Sequence, residues 1–409
     1  MLFYCRLLVQ VLICLKATKK EEKRSKIMSY LKSKNYSTRT NKSFVETPAD
    51  NILMVVVIFI VVFGIMAVFS ASAPKAIAQG ENPIFFVIRQ VVWLVIGIFG
   101  VSFFSKFDYK RLKYFASPLA IFVLVTLLLV QFSPLGVTVN EAKRWLVIGP
   151  LQFQPSELAK PAVVLYFATL FSKNCVIVDS KKYPFYFIFG LMLLLIYKQP
   201  NLSMIILLLV TSVAMFYVAG GSLKLILGSG AVGLLGVVST IRDYQLQRIK
   251  VWLNPFSDAL GAGYNIIQSL VAFSSGGLFG VGFGNSKQKL AWLPEGHTDF
   301  IFAIIGEEFG FFGCFFLICL FCILLHRGFR IAKKCPDMFG KILAVGITFS
   351  LWFQAFTNMA VASSFVPATG IPLPFISYGG SSLCVSLCMI GVLINISKKK
   401  VQRIVHYVE

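Results

Sequence analysis

Residues 293–326 read LPEGHTDFIFAIIGEEFGFFGCFFLICLFCILLH. A polar head ends at Asp299, and an apolar run follows that exceeds the roughly 18 residues needed to cross a bilayer. Between Phe300 and His326 only Glu307 and Glu308 are acidic. A carboxylate at the mouth of a membrane span is costly unless it pairs or does chemistry. The stretch gathers Glu295, His297, Asp299, Glu307 and Glu308 in a chain with 17 acidic residues and 3 histidines. Function is sought here first.

Working outward, the same apolar character recurs along nearly all 409 residues: 57% are hydrophobic and 40 are Phe, with mean hydropathy +0.78. A soluble protein of this length would need far more polar surface. The runs are continuous and do not alternate, which excludes a barrel. The expected fold is an all-α polytopic membrane protein with about ten transmembrane helices, near 51–72, 84–105, 114–132, 158–172, 184–198, 201–219, 222–241, 299–326, 341–362 and 378–397.

The formal charge of +22 would suit nucleic acid, but its placement does not. Lys19, Lys20, Lys23, Arg24 and Lys26 form a basic leader, and most other cations occupy short loops. With the N-terminus inside, Lys106, Lys110, Arg111, Lys113, Lys173, Lys181, Lys182, Arg327, Arg330, Lys333, Lys334, Lys341 and Lys398–Lys400 all fall on the cytoplasmic side, as the positive-inside rule requires. No nucleic-acid partner is expected. Residues 1–50 read as a basic, partly dispensable cytoplasmic tail with an alternative start at Met28, 51–397 as the membrane domain, and 398–409 as a basic cytoplasmic tail.

The nine cysteines form no disulfide framework, since Cys314, Cys319, Cys322, Cys384 and Cys388 lie inside apolar runs as small hydrophobes. Cys319 and Cys322 have CxxC spacing but no nearby second pair, so no metal site is assigned. Two outer segments, 133–157 and 242–298, are too long for plain connectors. The large loop 242–298, between spans seven and eight, is rich in glycine and apolar residues. It reads as a folded cap with short amphipathic or re-entrant helices lining a cavity.

In three stretches, AKRWLVIGPLQFQPSELAK (142–160), GNSKQKLAWLPEGHTDFIFAIIGEE (284–308) and PLPFISYGGSS (372–382), the chain resembles the SEDS family of cell-wall membrane glycosyltransferases. The likeness covers essentially residues 50–400. The GNSKQK run looks more like the cell-division branch than the elongation branch. The resemblance implies polymerisation of lipid II (undecaprenyl-pyrophosphate disaccharide-pentapeptide) into peptidoglycan glycan strands at the inner membrane, at the division septum. It also implies ten spans with both termini cytoplasmic, a class B penicillin-binding protein as partner, and contact with other divisome membrane proteins. Three positions depart from the family pattern: Asn201 and Asn254 stand where Asp is common, and Thr369 where the division branch often carries Lys. Each removes an outer-face charge.

Such a reaction needs a base for the attacking hydroxyl and positive charge for a departing pyrophosphate. The resemblance places the catalytic carboxylate at Asp299; the plain alternative is that Asp299 or Thr298 merely caps the following helix. Glu295 and His297 would tune the base, hold a water or bind a divalent cation, against the alternative that His297 only shapes its loop. A divalent cation is the one cofactor considered, and no metal ligands are assigned. Candidate pyrophosphate cations are Lys143 and Arg144, Arg248 and Lys250, and Lys287 and Lys289, with Arg144 and Lys287 favoured by their motifs. For Ser377, Gly379 and Gly380 an anion-binding nest and a tight helix start are equally open. Glu307 and Glu308 lie about 12 Å below Asp299 and read as buried links to neighbouring spans, beside the small-residue face of Gly306, Gly310 and Gly313. The rival functions are a lipid II flippase, an elongation-type polymerase and a scaffold without catalysis. Crowding of charge at the outer face favours surface chemistry over translocation.

Overall fold

The computed structural model describes residues 39–46, 48–139, 142–148, 151–172, 183–222, 224, 243–290, 292–398 and 400–407. The chain is an all-α polytopic membrane protein. Its helices are α1 (Asn51–Ala78), α2 (Phe85–Lys106), α3 (Leu112–Phe132), α4 (Pro155–Phe171), α5 (Tyr183–Lys198) and α6 (Leu202–Val218). They continue with α7 (Asp243–Leu253), α8 (Tyr264–Gly276), α9 (Ile301–Lys334), α10 (Met338–Ala362) and α11 (Gly380–Ser397). Among the described residues six helical segments are long and apolar enough to cross a membrane, and the helical stretches at 184–198 and 202–218 are apolar but shorter. The expected span at 222–241 lies outside the described residues.

Polar residues mark where these helices start. Asp50 caps α1 by accepting from the Leu53 amide at 3.0 Å, and Asp337 caps α10 through the Gly340 amide at 2.8 Å. Asn201 caps α6 through the Met204 amide. Asn and Asp are near-equal caps, so the charge missing at 201 leaves this role intact.

A set of polar contacts defines one end of the bundle. There the Asp50 amide donates to Ser397 Oγ (3.1 Å), and Arg327 grips the Asp50 carboxylate through Nε and Nη2. At the same end Asn395 and Lys398 donate to the Ser105 carbonyl, and Tyr109 Oη donates to Asp337. The start of the first helix therefore meets the end of the last, which requires an even number of crossings. The described cations of the expected cytoplasmic loops (Lys106, Lys110, Arg111, Lys113, Arg327, Arg330, Lys333, Lys334 and Lys341) flank these contacts in sequence.

The outer segments differ from each other. Three strands form an antiparallel sheet, β2 (Gly136–Val139), β3 (Ala142–Ile148) and β4 (Leu151–Phe153). The loop 242–298 carries α7, a short 3-10 turn and α8, in keeping with a cap of short helices. A separate unit pairs β1 (Arg39–Glu46) with β5 (Lys400–Tyr407), antiparallel throughout. Both stretches fall in what the sequence reads as tails. The strand partners lie hundreds of residues apart, so no local pattern announces them.

α9 is not one continuous helix. Gly310 adopts φ 65° and ψ −163°, breaking it within its third turn. The groups freed there are satisfied by the chain leaving α8: Val281 and Gly282 amides donate to the Glu307 and Glu308 carbonyls, while Phe311 and Phe312 amides donate to Gly277 and Leu278. Irregular backbone at membrane depth survives only where it is so paired.

Candidate active site

The head of α9 is a tight turn. Glu295 sits at φ 56°, and its carbonyl accepts from the Thr298 and Phe300 amides at 3.1 and 3.2 Å. Thr298 Oγ1 donates to Glu295 Oε2 at 2.6 Å. The helix starts only at Ile301, with Phe300 at the cap position and no side chain capping it. Asp299 therefore lies before the helix, not inside it as the span 299–326 supposed, and neither Asp299 nor Thr298 is its cap.

Three successive carbonyls of this turn are fastened from outside. The Tyr378 amide donates to His297 O (3.0 Å), Ser377 Oγ to Thr298 O (2.5 Å) and Asn358 Nδ2 to Asp299 O (2.8 Å). Asn358 Nδ2 also donates to Ile371 O, and Ser377 Oγ accepts from the Leu373 amide. Thus α10 and the 371–379 loop fix the backbone on which the Asp299 carboxylate stands.

Asp299 is half-buried. Burial pushes its carboxyl up to about 7, with the Glu295 carboxylate adding to the rise and Arg144 and Arg248 opposing it. Arg144, on β3, donates through Nε to Gln199 O (2.8 Å) and through Nη2 to Pro200 O (2.5 Å). Arg144 and Asp299 converge on Gly370, where a Cβ would stand 3.7 Å from Arg144 Nη1 and 3.5 Å from Asp299 Oδ2. Arg248, on α7, donates to Ala368 O at 3.1 Å. The two arginines are thus the expected cations that the fold brings to Asp299.

The other expected cations are placed elsewhere. Lys143 precedes Arg144 on the strand, and its Nζ turns to Ser133 O (3.0 Å) and Gln131 O (3.4 Å) at the end of α3; side chains alternate along a strand. Lys289 is 8% exposed and pairs with Glu308 at 2.9 Å, which also accepts from Ser70 on α1 at 2.5 Å. Its charge is paired within the protein, in contrast to the two arginines beside Asp299. Lys287 is exposed; its amide donates to Glu307 Oε1 and its carbonyl accepts from the Leu290 amide. Lys250 is exposed on α7. Glu307 also accepts from Ser286 Oγ and the Gln288 amide, so both buried glutamates bind the α8–α9 connection.

His297 is 5% exposed and packs its ring against Phe86 and Tyr378, centroids 5.5 and 5.9 Å away. Burial, reinforced by Lys75 and opposed by Glu295, lowers its pKa to about 4. It is neutral at physiological pH. Among the described residues no three His, Cys, Asp or Glu side chains gather as a metal-binding group. Ser377 serves the turn, as described. The Gly379 amide is taken by Gln90 Oε1 at 3.3 Å, and a Cβ on Gly380 would strike the Trp93 indole at 2.1 Å. These contacts support the tight helix start over the nest.

Sequence reading missed Lys75, Gln90, Asn358 and a buried polar link below the site. Lys160, fully buried, pairs with Glu157 one turn earlier at 2.6 Å and donates to Gln354 Oε1 at 2.6 Å. Gln354 Nε2 in turn donates to Pro372 O at 2.8 Å. The PSELAK motif already held the signal: two ionisable residues three apart inside a span. Beside α9, an apolar cavity of about 730 Å³ opens between α8, α9 and α10, lined among others by Phe273, Phe302, Cys314, Trp352 and Phe356. None of the charged candidates lines it.

The chain is 38% identical over 358 residues to the probable peptidoglycan glycosyltransferase FtsW of Geobacter sp. (strain M18), covering 86% of this chain and 97% of the relative. It is 37% identical to the stage V sporulation protein E of Bacillus subtilis (strain 168), covering 86% of this chain and 98% of the relative. A chain solved in work on a peptidoglycan synthase complex that coordinates polymerization and crosslinking superposes with TM-score 0.70 at 30% identity, covering 85% of this chain and 97% of the other. Residues 50–402 match the model of the cell cycle protein family that unites FtsW, RodA and SpoVE, and the chain belongs to that family.

Proposed function

We propose that this protein is a peptidoglycan glycosyltransferase that polymerises lipid II at the outer face of the bacterial cytoplasmic membrane, with ten crossings and both termini inside. The observation that carries the reading is the fixed turn at 297–299: a half-buried carboxyl raised to about 7, beside Arg144 and Arg248. A base works best with its pKa near the operating pH, and guanidinium groups suit phosphate oxygens.

In the proposed step the Asp299 carboxylate takes the proton of the acceptor hydroxyl. The hydroxyl oxygen bonds to the anomeric carbon of the donor on the face opposite the leaving group. The bond from that carbon to the diphosphate oxygen breaks, and its electron pair leaves with the diphosphate, whose charge Arg144 and Arg248 stabilise. The 730 Å³ apolar cavity suits a hydrocarbon chain more than a sugar. Relatives named FtsW, together with the GNSKQK run, favour septal synthesis with divisome membrane proteins over elongation. The matched synthase complex supports a class B penicillin-binding protein as partner.

The test is lipid II polymerisation by the purified protein with that partner, wild type against Asp299→Asn. Glycan strands from the wild type alone are expected. Translocation of lipid II in vesicles with no strands from either protein would replace the reading by the flippase. Equal strands from both would leave a polymerase and remove Asp299 as its base.

A further inference from the structure

The last turn of α1 carries Lys75, whose Nζ lies 3.4 Å from His297 Nε2. An ammonium only donates, so Nε2 accepts and the ring proton sits on Nδ1. This contact is unusual for a lysine at a helix end. One that served only the macrodipole would bond the last free carbonyls, and one that served solubility would extend into water. Among the described residues no ion pair includes Lys75, and the residue remains exposed. A neutral imidazole, packed between Phe86 and Tyr378, accepts from the ammonium of this cation without cancelling its charge.

The turn that carries His297 also carries Asp299, so three cations meet one short segment: Arg144 and Arg248 act on Asp299, and Lys75 acts on His297. Against them stand Glu295 and a carboxyl that is substantially protonated near neutrality. The local balance is positive, which suits a ligand of more than one negative charge. We propose that Lys75, seated on His297, is a further binding residue of the site and contacts the diphosphate of a lipid-linked substrate. The proposal rests on the glycosyltransferase reading above, and its test includes a measurement that does not.

Lys75→Met and Lys75→Arg are compared with the wild type in two ways, after melting temperatures establish that all three are folded. Inorganic pyrophosphate is titrated into each protein by calorimetry, and kcat/KM for lipid II is measured in nanodiscs of zwitterionic and of anionic lipid. Removing one charge-assisted contact should weaken pyrophosphate binding and kcat/KM by about tenfold each, in both lipid backgrounds, with Arg retaining most of the function. Unchanged pyrophosphate affinity in Lys75→Met overturns the proposal, whatever the activity. A loss of activity confined to anionic nanodiscs also overturns it, because the lysine then meets lipid headgroups. A wild type that binds pyrophosphate through Lys75 but makes no glycan would retain the site and sink the polymerase reading.

Discussion

Asp299 is held in the wrong state for an ordinary surface aspartate, and that gives its chemistry a pH signature. If its carboxylate is the base, activity should rise with pH through a midpoint near 7, since the protonated form is inert. The neighbours set the direction in which the midpoint moves. Glu295→Gln removes a negative charge that raises it, so the profile should shift to lower pH. Arg144→Gln removes a positive charge that lowers it, so the profile should shift to higher pH and kcat should fall as well. Rate profiles between pH 5.5 and 9 that superpose for all three proteins would remove Asp299 from the rate-limiting step. Asp299→Asn should cost about 100-fold or more in kcat with little change in melting temperature, because the side chain caps nothing. At this scale Asp299, His297 and Arg144 were legible, as polar residues conspicuous in apolar sequence. Asn358 and Lys75 were not. Their partners lie 59 and 222 positions away: Asn358 is one of several polar residues in α10, and Lys75, although the only charged residue of α1, carries no local sign of what it meets.

The break in α9 is where the element departs from its sequence pattern. An apolar run of this kind predicts an unbroken helix, and Gly310 reads as one member of a small-residue face. Only the tertiary contact shows that its φ of 65° with ψ near −163° belongs to a region that side chains avoid. A Cβ there would also stand 2.4 Å from the Gly280 amide nitrogen. Gly310→Ala should therefore destabilise by roughly 1–3 kcal/mol from backbone strain alone, and more from the clash. Gly190→Ala, in α5 with open space around it, should be neutral or slightly stabilising. Thermal unfolding in detergent measures both, and equal melting temperatures would mean that the break is not held in solution. The ion pair beneath it belongs to the same junction. Lys289→Met strands the buried Glu308 carboxylate with Ser70, an expected cost on the order of 3 kcal/mol. Glu308→Gln made in the same protein should recover part of that loss, a coupling that a double-mutant cycle reads directly.

For the whole molecule, hydropathy was enough to read a polytopic bundle, because the bilayer imposes apolar length locally along the chain, and loop charge carries the expected orientation. The sheet at 136–153 and the strand pair of the chain ends needed long-range pairing and were not legible. The bundle has two chemically distinct ends. Asp50, Ser397, Arg327 and Asp337 meet at one, and Lys75, Arg144, Arg248 and the 295–299 turn at the other. The lysines and arginines that flank the first end predict by the positive-inside rule that it is cytoplasmic and that the candidate site opens outward. Cysteine labelling tests this in a background from which the native cysteines have been removed. A thiol introduced by Phe256→Cys, in the exposed turn after α7, should react with a membrane-impermeant maleimide in intact cells. One introduced by Lys110→Cys, between α2 and α3, should react only after the membrane is opened. The reverse pattern would turn Asp299 toward the cytoplasm. Glycan synthesis at the outer face would then be impossible for this site, however well its groups suit the chemistry.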